Sequence, residues 1–116
     1  MSEKLVEVIT SAMEDIKAQK ITVMDLRAID NSICQFFVIC HGNSNTHVSS
    51  IAQAIEKTAK ETISEEVYRK EGYRNAEWVL LDYGNVVVHV FQEHVRNFYN
   101  LEGLWADAKI TEIEEV

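Results

Sequence analysis

The stretch from Trp78 to Phe91, WVLLDYGNVVVHVF, restricts the fold of this chain more than any other. Apolar and β-branched residues run into Asp82-Tyr83-Gly84-Asn85 and out again, the pattern of two strands joined by a tight turn. Glycine at the first central position suits a type II′ turn, and a two-residue Gly84-Asn85 loop then fixes the register. Tyr83 faces Val86, Leu81 faces Val88 and Val79 faces Val90, an unbroken apolar face that belongs in a core. The other face sets Asp82 opposite Val87, Leu80 opposite His89 and Trp78 opposite Phe91. A slip of one residue would exchange the faces, so the turn decides which side is buried. The mixed face has two possible destinations: a surface that meets another macromolecule, or a second core beneath the C-terminal segment.

The rest of the chain alternates helical and strand periodicity. Leu5, Val8, Ile9, Ala12, Met13 and Ile16 form one helical stripe, with Ser2 placed as its N-cap. Ile21–Leu26 reads as a short strand and Ile33–Cys40 (ICQFFVIC) as a central one, covered on at least one face. His41-Gly42-Asn43-Ser44 breaks that strand, and Val48, Ile51, Ala52, Ile55, Ala59 and Ile63 mark a second helix. Glu65–Gly72 is a weaker strand suited to an edge. Tyr99, Leu101, Leu104 and Trp105 are expected to anchor a final helical segment, and residues 110–116 to form a solvated acidic tail. The sum is an α/β (α+β) chain: a single compact domain over residues 1–116, with a mixed sheet of about five strands flanked by helices.

Nineteen Asp and Glu against eleven Lys and Arg give a formal charge of -8. Neutralising a phosphate backbone needs clustered cations, so no direct nucleic-acid specificity is expected, and the charge favours a basic protein partner. No apolar run is long enough to span a membrane, and the N-terminus resembles neither a signal nor a transit peptide, so the expected location is cytoplasmic. Cys34 and Cys40 match no metal or redox spacing and read as reduced core residues sharing one strand face. The histidines match no metal site either, and no cofactor is expected. A strand–Gly42-Asn43-Ser44–helix junction is the geometry that can hold a phosphate, which makes a nucleotide-binding or nucleotidyltransferase-like protein the alternative reading. Phosphoryl transfer also needs paired carboxylates for metal ions, and no Asp-x-Asp occurs. The chain is therefore expected not to be an enzyme.

The same residues carry a resemblance. WVLLDYGNVVVHVF followed by FYNLEGLWADA, with FFVICHGNS at 36–44 and KEGYRNAEW at 70–78, closely resembles the Iojap family of ribosomal silencing factors, essentially over the whole chain. The chain departs from the family pattern at Gln35, at Asn85 and in Glu93-His94-Val95-Arg96, which lacks proline but keeps the arginine. The resemblance implies a fold similar to the nucleotidyltransferases without their active site. It implies binding to the large ribosomal subunit through its fourteenth protein, a block on joining of the small subunit, repression of translation under nutrient limitation, and a homodimer when free. Partner contact is expected from Tyr73, Trp78, Asp82, His89, Phe91, Glu93 and Arg96, with Trp78 and Phe91 at the desolvated centre.

Overall fold

The computed structural model describes residues 2–114. In chain order the elements are α1 (Ser2–Asp15), β1 (Gln19–Asp25), β2 (Phe36–Gly42), α2 (Asn45–Ile63), β3 (Arg69–Glu71), β4 (Trp78–Asp82), β5 (Val86–Gln92), α3 (Glu93–Tyr99), α4 (Leu101–Leu104) and β6 (Lys109–Glu112). They build one six-stranded sheet, ordered β3-β4-β5-β2-β1-β6. Only the central pair, β2 with β5, is parallel. A parallel pair needs a long crossover, and α2 lies within the segment that makes it.

The hairpin has the register read from its turn: Trp78 pairs with Phe91, Val79 with Val90, Leu80 with His89, Leu81 with Val88 and Asp82 with Val87. Gly84 has φ +88° while Asn85 stays out of the left-handed region, as a type II′ turn requires. The Tyr83 N–H closes the turn on the Val86 carbonyl at 2.9 Å, and the Asp82 carboxylate accepts the Gly84 N–H at 2.8 Å.

Each face of the sheet is covered. On one side α1 and α2 bring their apolar stripes onto Val38, Cys40, Val79, Leu81, Val86, Val88 and Val90. On the other, the 26–35 loop and the α3–α4 segment bury Met24, Phe37, Ile39, Val87 and Phe91. The mixed face of the hairpin is thus the floor of a second core, because the C-terminal segment folds back over it.

Five expectations need correction. The sheet has six strands rather than about five, because Lys109–Glu112 pairs antiparallel with the open edge of β1, Thr22 opposite Glu112 and Met24 opposite Ile110. The acidic tail expected over 110–116 therefore begins as a strand, and its last two residues lie outside the described ones. The central strand starts at Phe36: Ile33 is exposed, and Cys34 sits in the second core while Cys40 sits in the first, so the two thiols do not share a face. Both are free, and burial pushes them up to about 11 and about 12. Ser2 is the first residue of α1 rather than a cap ahead of it.

Candidate functional site

The α3–α4 layer is built around one arginine. Arg96 is 5% exposed, and its guanidinium spends every N–H inside the protein. Nη1 donates to the Lys20 carbonyl at 2.8 Å and to His41 Nδ1 at 3.1 Å; Nη2 donates to Thr22 Oγ1 and Glu102 Oε2, each at 3.0 Å. β1 bulges between Gln19 and Thr22, with Lys20 at φ 47°, and the Lys20 carbonyl accepts from the Thr22 hydroxyl at 3.1 Å as well as from Arg96. A buried cation is tolerable only when paired and saturated with acceptors, and Glu102 of α4 supplies the counter-charge. The arginine ties α3 to α4 and both to β1 and β2.

Asn100, in the left-handed conformation (φ 47°), joins the two helices. Its N–H ends α3 on the Arg96 carbonyl at 2.9 Å, and its side-chain oxygen accepts the Gly103 N–H at 3.3 Å to start α4. A Cβ on Gly103 would meet the Asn100 side-chain amide at 2.3 Å, so a larger residue there would push the capping side chain aside.

Beneath the layer lies an aromatic cluster. The Trp78 indole N–H donates to His89 Nδ1 at 3.0 Å, and its ring lies 4.9 Å from Phe91 and 4.7 Å from Tyr99. Phe37 is edge-on to His89 at 4.8 Å and to Trp105 at 5.9 Å. His89 is 4% exposed, its Nε2 has no partner among the described residues, and burial lowers it to about 4, so the ring is neutral with its proton on Nε2.

Above the layer three large apolar side chains face solvent among polar neighbours such as Glu93, His94 and Asn97. Phe98 is 80% exposed, Leu104 72% and Tyr99 47%. Phe98 and Tyr99 touch edge to face at 5.1 Å, and Tyr99 with Trp78, Gly72, Asn75, Glu77 and Val95 lines a shallow cavity of about 260 Å³.

The seven residues expected to touch a partner do not form one surface. Phe91 is fully buried, and His89 and Arg96 nearly so; all three shape the layer from within, where a partner in contact with this conformation cannot reach them. Tyr73 lies on the opposite side of the sheet, donating to Glu56 of α2 at 2.5 Å. Asp82 is committed to the hairpin turn and makes no bond to His89. Trp78, half-buried, and Glu93, exposed, stay within reach. Sequence reasoning missed Phe98 and placed Leu104 and Tyr99 inward. A helix of seven residues followed by one of four shows too little periodicity to say which side chains turn out.

The Gly42–Ser44 loop is occupied by its own side chains. Asn43 N–H donates to His47 Nδ1 at 2.9 Å, Ser44 Oγ accepts the His47 N–H at 3.1 Å to cap α2, and His47 Nε2 reaches the Ile16 carbonyl at 2.7 Å. The donors a phosphate would use include one already given to the imidazole. Among the described residues no three or more His, Cys, Asp or Glu are gathered as a metal would need. No helix among the described residues is long and apolar enough to cross a membrane.

Comparison with known proteins places these features in a lineage. The family described as "Ribosomal silencing factor during starvation" matches residues 1–116. The ribosomal silencing factor of Halalkalibacterium halodurans is 44% identical over 115 residues, covering 99% of this chain and 97% of its own. That of Bacillus subtilis is 39% identical over 115 residues, covering 98% and 96%. A crystal structure of a Chromobacterium violaceum protein superposes with a TM-score of 0.84 at 31% identity, over 98% of this chain and 94% of that one. The chain belongs to the ribosomal silencing factor (RsfS, Iojap) family.

Proposed function

We propose that this protein binds the large ribosomal subunit through its fourteenth protein, covers the surface on which the small subunit docks, and so represses translation when nutrients are scarce. It acts by occupying space, with no chemical step. The observation that carries the reading is the exposed Phe98–Tyr99 pair with Leu104, set beside Trp78 on a layer pinned to the sheet by Arg96. Aromatic side chains supply large contact area, and Tyr99 is already packed against Trp78 before a partner arrives. Exposed Glu93 and a chain charge of -8 suit a basic protein surface. Contact is assigned to Trp78, Glu93, Phe98, Tyr99 and Leu104; His89, Phe91 and Arg96 hold that surface in shape.

Co-sedimentation with purified large subunits tests this. Phe98→Ser with Leu104→Ser removes exposed groups only, so the variant should fold normally and lose binding tenfold or more. Full binding by the folded variant would refute the assigned surface.

A further inference from the structure

Two buried histidines lie under the α3–α4 layer, and each works through a nitrogen that has to stay unprotonated. His41 Nδ1 accepts from Arg96, the residue that anchors α3. His89 Nδ1 accepts from Trp78, whose ring supports Tyr99 of α3. We propose that His41 and His89 form an acid-sensitive clasp: protonating them releases the α3–α4 layer from the sheet and dismantles the contact surface it carries. This rests on the reading of that layer as the contact surface.

The geometry sets the direction. A proton on His41 Nδ1 points an N–H at the guanidinium N–H of Arg96 and adds a positive charge beside it. The charged groups around His41 are Arg96 and Lys20, which oppose protonation, and Glu93 and Glu102, which favour it; burial outweighs them and the net shift is downward. A proton on His89 Nδ1 breaks the Trp78 bond and leaves an imidazolium among Phe37, Phe91 and Trp78 with its Nε2–H unpartnered. Asp82 on β4, Glu93 and Arg96 on α3 and Glu102 on α4 belong to elements packed around that ring, and none of them enters its proton balance. Closed and open layers therefore differ in proton affinity: open, each histidine returns toward 6.5; closed, His89 stays near about 4. Between those values acid favours the open form. The first core contains neither histidine, and its α1–α2 side is untouched by the change.

Hydrogen exchange of the free protein, as protection factors corrected for intrinsic rates, should show residues 93–105 losing protection relative to β2 between pH 7.5 and pH 5. The loss expected from His89 alone is about thirtyfold at pH 5. His41→Asn with His89→Asn keeps an acceptor at the Nδ1 position without a titrating group, so its profile should be flat. Large-subunit binding across the same range should fall in parallel for the native chain and stay level for the variant, with the ribosome's own pH response common to both. Unchanged protection of 93–105 at pH 5, or equal acid loss in the variant, overturns the clasp. No ribosome binding at pH 7.5 instead refutes the contact-surface reading, while the exchange data still judge the clasp. If the double variant does not fold, the imidazole proton resonances of the native chain decide: His41 or His89 titrating together with opening of 93–105 supports it, and titration with the layer still protected overturns it.

Discussion

Arg96 concentrates the energetics at the scale of single residues. Replacing it by alanine leaves Glu102 without its counter-charge, takes the guanidinium donors from His41 Nδ1 and Thr22 Oγ1, and leaves the Lys20 carbonyl to the Thr22 hydroxyl. The expected loss is ~3 kcal/mol, in the range for breaking a buried ion pair, and denaturant unfolding measures it. His89 gives a stability signature in pH. Its folded value is depressed to about 4 from the ordinary 6.5, so between the two the unfolded chain binds more protons. Stability from this group is complete above pH 6.5 and declines by ~1.4 kcal/mol per pH unit on acidification toward pH 4. Urea titrations at pH 7.5, 6 and 5 should show that slope, reduced by about one proton in His89→Asn. Neither role was legible in the sequence. His89 was readable as a member of the mixed face, but its acceptor bond to Trp78 depends on rotamers. Arg96 meets Lys20 and Thr22 across more than seventy residues, a distance no local pattern spans.

Elements were legible in proportion to their periodicity. The Trp78–Phe91 hairpin was readable down to its register, because a two-residue turn starting with glycine admits one pairing and the face that results is wholly apolar. The stripes of α1 and α2 run three or more turns and were plain for the same reason. Strand β6 was not, since four exposed residues, Lys-Ile-Thr-Glu, carry no alternation that separates a strand from a charged tail. What makes them a strand is the free edge of β1, a tertiary fact. The short α3 and α4 likewise owe their form to packing and to Asn100 between them. Asn100→Ala removes the cap on α4 and strains a left-handed backbone position, costing ~1–2 kcal/mol. Because the effect is local, faster exchange confined to residues 93–105 should report it before global unfolding does.

At the scale of the molecule, one sheet separates two jobs. The α1–α2 side is a core of interlocking aliphatic side chains, and the α3–α4 side is a thinner layer that turns a buried polar clasp into an outward aromatic surface. A net charge of -8 meeting a basic protein predicts binding that weakens as salt rises, most of it through slower association. The central claim is occlusion through this surface, and subunit joining reads it directly. Separated large and small subunits, mixed with the protein at fixed magnesium and followed by light scattering, should fail to join in proportion to the protein added. The folded Phe98→Ser, Leu104→Ser variant should leave joining at its normal rate. Joining that proceeds unhindered at saturating native protein, or is blocked equally by that variant, would contradict the account.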